Sequence, residues 1–172
     1  MLTPEELAAE VEALKRRVDA CESVLAIQAM KARYAELVDR RFSAGRVVDP
    51  TTLAELAAGI ADLFTADGSW DGGPGVGVCA GRPAIARQLS GTTFSFSRHV
   101  FTNPRIVVDG DTARGRWDIL SPCRRVTGES YWMCGYEDDQ YARIDGLWLH
   151  RSMKLTTVTM TPVGEGWTRI FV

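Results

Sequence analysis

From Pro4 onward the chain places apolar residues at Leu7, Val11, Leu14, Val18, Cys21 and Leu25, with spacings that alternate four and three. That alternation is a heptad seam on an α-helix. Thr3-Pro4-Glu5-Glu6 supplies the start, because Thr3 can cap, Pro4 suits the first helical position and Glu6 closes a capping box. The seam lasts about three heptads, so two uses stay open: a contact between chains, or a helix lying along its own domain. The apolar stripe then widens through Ile27, Met30, Tyr34, Leu37 and Val38, as it does where a helix covers a sheet. Ala44-Gly45 and Asp49-Pro50 are the expected stops.

A second helix is expected over about 51–64, with Leu53, Leu56, Ile60, Leu63 and Phe64 inward, and a short third one over about 84–89. Between them the Gly72–Gly77 segment lacks both the Gly-Lys-Ser/Thr ending and the G-x-G-x-x-G order of phosphate loops, and reads as a hairpin or lid. From Ser95 the pattern changes to strands near 96–108, 112–126, 130–144 and 146–160. They are separated by Asp109-Gly110-Asp111, Thr127-Gly128-Glu129 and Asp145-Gly146. Trp167 to Phe171 adds an edge segment or a tail. Helices followed by a meander of long strands is an α+β order. A curved, mixed or antiparallel sheet wrapped around the long first helix closes it and leaves a cavity between the layers. Residues 1–21 form a heptad-patterned extension, and 22–172 a single domain.

The chain has 172 residues, enough for one core. A net charge of −2 without a basic run argues against nucleic acid as a partner. Apolar stretches fall short of the roughly 20 residues of a membrane span. The charged start, MLTPEELAAEVEALKRR, has no signal-peptide core, so a cytoplasmic location is expected. Four cysteines without a C-x-x-C pair and two histidines argue against a zinc site and fit reduced thiols.

Several segments together resemble the SnoaL-like group of the nuclear-transport-factor-2-like superfamily. They are Ala32-Arg33-Tyr34 through Asp39, Leu63 through Trp70, Gly81-Arg82-Pro83-Ala84-Ile85, His99 with Asn103-Pro104-Arg105-Ile106, Asp109 through Ala113, and Gly146-Leu147-Trp148. The resemblance covers roughly residues 22–160. It implies a cone-shaped fold that hosts dehydratases, isomerases, epoxide hydrolases, cyclases and binders. The scytalone dehydratase, bile-acid 7α-dehydratase and dehydrochlorinase branch carries an Asp late in the first long helix and a His on the first long strand after the third helix. Asp39 and His99 occupy those places. Tyr34 matches a tyrosine five residues before the Asp in the bile-acid enzymes.

The chemistry implied is acid–base elimination. A base takes a proton, a carboxylate holds the base in one tautomer, and an acid assists the leaving group or oxyanion. Imidazole is the side chain whose ordinary range suits a base at neutral pH, so His99 is the expected base, Asp39 its orienting partner and Tyr34 the acid. Five residues turn a helix through about 140°, so Tyr34 and Asp39 share a site only across a wide helix face. The plainer alternatives are a strand histidine, an exposed carboxylate paired with Arg40 or Arg41, and a core tyrosine. His150 is expected at the surface or behind the site. Trp117, Tyr136, Phe101 and Asn103 are expected to contact substrate. Asn103, Asp118 and Glu137 are polar groups at strand positions that could each point inward.

The resulting expectation is a cofactor-independent lyase of dehydratase type, without a metal, acting on a hydrophobic ring compound such as a steroid, polyketide or aromatic metabolite. It is expected to assemble as a homo-oligomer, a dimer or a trimer. The alternatives are an isomerase or cyclase of the same fold, a formaldehyde-releasing C–C lyase, or a non-enzymatic ligand-binding or assembly module.

Overall fold

A computed structural model describes residues 2–74 and 76–165. The segment expected at Trp167–Phe171 lies outside the described residues. The first helix, α1, runs over Pro4–Asp39, about 54 Å at 1.5 Å per residue. Its start is the expected capping box: Thr3 Oγ1 accepts from the Glu6 N–H, and the Glu6 carboxylate accepts from the Thr3 N–H. Its inward face is Ser23, Ile27, Lys31, Tyr34, Leu37 and Val38, spaced by three and four. The first five turns touch no core. Leu7, Val11, Leu14 and Val18 are all exposed, so the seam does not lie along its own domain.

The helix stops at Asp39, five residues before the expected stop at Ala44. The cause is a two-residue hairpin, β1 (Phe42–Ser43) and β2 (Arg46–Val47), around Ala44 and Gly45. Both turn residues adopt positive φ (49° and 71°), as a type I′ turn requires. Arg41 locks this corner. Its guanidinium donates to the carbonyls of Val38 (3.1 Å) and Leu89 (3.1 Å).

Helix α2 (Pro50–Ala61) is capped by the Asp49 carboxylate, and strand β3 (Phe64–Asp71) follows it. The glycine-rich segment closes a hairpin from β3 to β4 (Val78–Ala80), pinned by Gly72 N–H donating to the Gly77 carbonyl at 3.1 Å. Helix α3 (Arg82–Leu89) precedes β5 (Phe94–Ser97), β6 (Val100–Asp109), β7 (Thr112–Arg125), β8 (Ser130–Ile144) and β9 (Leu147–Pro162). The sheet order is β4-β3-β9-β8-β7-β5, with β6 also on β7. Among the described residues only β3 and β9 pair in parallel; the other neighbours are antiparallel. Irregular registers at Thr102/Arg105, Cys134/Gly135 and Gln140/Tyr141 bend the long strands.

Two packed clusters fill the space between helices and sheet. One joins α1, α2 and α3 to β3 and β9 through Tyr34, Leu56, Ile60, Phe64, Ile85 and Met153. The other joins α1 to the meander through Ile27, Ala113, Trp117, Tyr141 and Trp148. Between them lies a buried charge cluster. Lys31 Nζ donates to Glu137 Oε2 and to Asp139 Oδ2 (2.7 Å), and the Lys31 side chain is 1% exposed. Asp139 Oδ2 also accepts from Tyr141 Oη (2.8 Å), which accepts from Trp117 Nε1 (2.8 Å). Gly115 makes room for this chain, since a Cβ there would meet Tyr141 Cε2 at 2.9 Å.

Removing one partner of a buried ion cluster leaves uncompensated charge in a dry core. Lys31→Met is therefore expected to destabilise the fold by about 3–5 kcal/mol in urea unfolding. Adding Glu137→Gln and Asp139→Asn to Lys31→Met is expected to return a substantial part of that loss.

Candidate active site

The long strand expected over 96–108 is broken at Arg98 and His99, between β5 and β6. The break frees the His99 backbone from the sheet ladder. Its N–H donates instead to the Asp39 carboxylate, at 3.0 Å to Oδ1 and 3.3 Å to Oδ2. The imidazole Nδ1 lies 2.8 Å from the same Oδ1. One carboxylate at the end of α1 thus fixes both the backbone and the ring of one histidine. With Nδ1 engaged by Asp39, Nε2 is the nitrogen left for a substrate. Arg98 Nη1 adds a contact of 3.3 Å to Asp39 Oδ2 from the solvent side. The Asp39 side chain is 8% exposed and that of His99 16%, so the pair is sheltered but reachable.

Asp39 and His99 line a cleft of about 610 Å³ between α1 and β6. Phe42, Val100, Phe101 and Trp117 supply apolar wall, Lys31 adds a buried ammonium, and the exposed Glu36, Arg40 and Arg98 form the rim. The cavity expected between the layers is therefore this cleft, open at one side. The Lys31 ammonium sits 4.3 Å from the Phe101 ring centroid, and the His99 and Phe101 rings stack at 6.1 Å.

The other residues singled out in the sequence divide sharply. Phe101 and Trp117, expected to contact substrate, line the cleft. Tyr34, expected as the acid, does not join the Asp39–His99 pair. It is 3% exposed, packs against Phe64, Phe101 and His150, and its hydroxyl accepts from Trp70 Nε1 at 3.1 Å. Burial, with the Glu137 charge behind it, pushes that phenol well above its ordinary range. Tyr136 and Asn103, expected to contact substrate, lie on the outer face of the sheet. Tyr136 alternates with the inward Glu137 and packs under the Arg116 guanidinium at 4.3 Å. Asn103 sits in the β6 bulge with φ of 50° and donates to the Asp118 carboxylate at 2.9 Å.

His150, expected at the surface or behind the site, is fully buried. It stacks on Phe64 at 5.0 Å, and neither ring nitrogen has a hydrogen-bond partner among the described residues. Its Nδ1 lies 3.8 Å from Asp139 Oδ2. Burial and then the Lys31 charge hold this imidazole well below its ordinary pKa, hence neutral. Lys31 is held above its range because Asp139 and Glu137 outweigh the opposing effect of burial. Asp139 is pushed up to about 6, by burial first and by Glu137 against the lowering effect of Lys31.

Lys31 and Asp139 are absent from the expected site residues. The signal was present. Lys31 falls on the inward stripe between Ile27 and Tyr34, and Glu137, Asp139 and Tyr141 alternate on one face of β8. Three charged residues at inward positions demand mutual pairing.

The profile of a family described as "SnoaL-like domain" matches residues 19–154. No curated protein matches. Solved structures do. A type 2 hexachlorocyclohexane dehydrochlorinase, LinA, superposes with a TM-score of 0.69 at 21% identity, covering 83% of this chain and 90% of that one. A candidate scytalone dehydratase from Novosphingobium aromaticivorans gives 0.66 at 23% identity, covering 82% and 87%. A candidate aromatic ring hydroxylase from the same organism gives 0.67 at 20% identity, covering 84% and 96%. At these identities the likeness establishes the fold, and these described activities are diverse. No helix among the described residues is long and apolar enough to cross a membrane.

The two buried titrations act in opposite directions on stability. The folded chain refuses the proton that an unfolded His150 takes up near pH 6.5. Its contribution is therefore present above that pH and is lost as pH falls, by at most about 1.4 kcal/mol per unit. Asp139 holds a proton that the unfolded chain releases near pH 4. Its contribution is present below that and is lost as pH rises through about 6. His150→Phe removes only the first effect. The melting-temperature difference between variant and wild type is expected to move in favour of the variant from pH 7.5 to pH 5. A pH-independent difference would show that His150 does not titrate on unfolding.

Proposed function

The chain belongs to the SnoaL-like domain family, and from that premise we propose that it is a cofactor-independent lyase carrying out acid–base elimination on a hydrophobic, ring-containing small molecule. The observation that carries this reading is the 2.8 Å contact between His99 Nδ1 and Asp39 Oδ1 in a cleft that Phe42, Val100, Phe101 and Trp117 wall on its apolar side. A histidine oriented by a carboxylate through one nitrogen is a general base through the other.

In the proposed reaction His99 Nε2 takes a proton from a carbon made acidic by a neighbouring carbonyl or ring. The C–H electron pair becomes the new double bond, and the bond to the leaving group on the adjacent carbon breaks with its electron pair. When that group is a hydroxyl, the imidazolium just formed is the proton source that lets it depart as water. Asp39 stabilises that imidazolium and keeps the ring aimed. Phe101 and Trp117 hold the ring of the substrate against the floor of the cleft. Lys31 is already engaged by Glu137 and Asp139 and takes no part in the proton transfer. Tyr34 is, in this reading, a core residue that backs Phe101.

The test is turnover on a panel of cyclic β-hydroxy ketones, followed by enone absorbance and by deuterium incorporation at the acidic carbon in heavy water. Wild type is expected to turn over at least one member. His99→Ala is expected to lower that rate about 10²–10⁴-fold with the melting temperature retained. Asp39→Asn is expected to lower it as well, by presenting the wrong tautomer. Full activity in His99→Ala would overturn the assignment. An inactive Asp39→Asn beside an active His99→Ala would move the base to the carboxylate and the reaction to an isomerase. Ligand binding without turnover, unchanged by both substitutions, would identify a binding module.

A further inference from the structure

The exposed seam on the first half of α1 is not explained by the cleft chemistry. In heptad terms Leu7, Leu14 and Cys21 are d positions, and Val11, Val18 and Leu25 are a positions. In the single chain the five aliphatic members are between 40% and 64% exposed. The domain body approaches this helix from other positions. Arg143 brackets the rod by donating to Asp19 (2.7 and 3.1 Å) and to Ser23 Oγ (3.5 Å), while its Nε holds Asp111 on the β6–β7 turn at 2.7 Å. Asp19 and Ser23 are b and f positions, so the clamp turns the a and d side away from the body. The helix that carries the seam is thus already capped at Thr3 and clamped at Arg143, and pairing need not pay again for its ordering.

We propose that this face pairs with a second copy of the chain as a parallel, in-register, two-stranded coiled coil over Leu7–Leu25. Three observations select that occupant. First, Leu7 and Leu14 at d with Val11 and Val18 at a form the combination that favours two parallel strands over three or four, ahead of Cys21 at d and Leu25 at a. Second, the flanking charges match across such a pair. Glu10 and Arg17 are g positions, and Lys15 and Glu22 are the e positions five residues on. Parallel pairing sets Glu10 against Lys15 of the other copy and Arg17 against Glu22, both attractive. An antiparallel arrangement that keeps a and d layers together matches one such set and opposes like charges in the other: Lys15 meets its own copy in one register, and Arg17 meets its own copy in the next. Lys15, held by Glu12 at 2.7 Å in the single chain, exchanges that weak exposed pair for the one across the seam.

Third, the seam stops where the cleft starts. Beyond Leu25 the a and d positions are Gln28, Ala32, Ala35 and Asp39, and these four line the cleft. One continuous helix face therefore serves pairing in its first half and the site in its second. A parallel pair places both clefts at the same end of the rod.

Sedimentation equilibrium on the full chain measures the association, and oxidation measures its direction. Wild type is expected to be a dimer at micromolar concentration. Leu14→Asp with Val18→Asp, both at exposed positions, is expected to give a monomer with unchanged circular dichroism of the domain. Glu10→Lys is expected to weaken the dimer roughly ten-fold by opposing Lys15, and Glu10→Lys with Lys15→Glu to restore it. Cys21 is the exposed cysteine among the described residues. In a parallel, in-register pair its two copies face each other at a d layer, so mild oxidation is expected to yield a disulfide-linked dimer that Cys21→Ser abolishes. A monomeric or trimeric wild type would overturn the proposal, as would a dimer indifferent to the seam substitutions. A seam-dependent dimer that does not cross-link through Cys21 would overturn its parallel register.

Discussion

The position of α1 on the sheet is set by the burial of one ammonium group. Lys31 reaches the sheet between two hydrophobic clusters and is held there by Glu137 and Asp139, two residues apart on β8. A helix packed only through Ile27, Tyr34 and Leu37 could slide or rotate with modest loss. A buried ion cluster does not allow that, because any displacement leaves charge without a partner in a dry interior. Asp139 is further fixed by Tyr141, and Tyr141 by Trp117, so the helix, β8 and β7 share one register. Asp39 lies eight residues past Lys31, about 12 Å along the same rod. Where Lys31 is anchored, the carboxylate that holds His99 is placed.

The site itself is made of two interruptions. The helix ends at Asp39 because the chain turns into a tight hairpin at Ala44-Gly45, and the strand breaks at His99 because its backbone N–H has found a carboxylate. Asp39 is the last residue of α1 and His99 lies between two strands, so each stands at the edge of regular structure. The local irregularity that breaks the strand also frees the imidazole edge toward the cleft.

Much of this was legible in the sequence and some of it was not, for reasons that are physical. The capping box at Thr3, the widening stripe on α1 and the turn signals between the long strands rest on local chemistry, whereas the Asp39–His99 pairing is legible only through the family resemblance. Facing on a strand is decided by bulges: one extra residue between Thr102 and Arg105 resets which β6 side chains around Asn103 point in, and Tyr136 follows the irregular register at Cys134/Gly135 on β8. Tyr34 enters the site only through the family resemblance, and the five helical residues between it and Asp39 turn it to another face. The rod is not wide enough for both to reach one cleft, and Tyr34 turns to Trp70. His150 gave no signal at all, since Trp148 and Leu149 make both faces of its strand apolar.

The Arg143 bracket makes α1 a lever as well as a scaffold. From Asp19, where the arginine grips it, to Asp39 the helix runs about 30 Å without a break. A rotation of about 2° at that pivot would carry the far carboxylate about 1 Å, the scale on which proton-transfer geometry is lost. Load applied to the outlying arm therefore meets the Lys31 anchor before it reaches the residue that aims His99. The buried ion cluster thus stands as a mechanical filter between the exposed arm and the site.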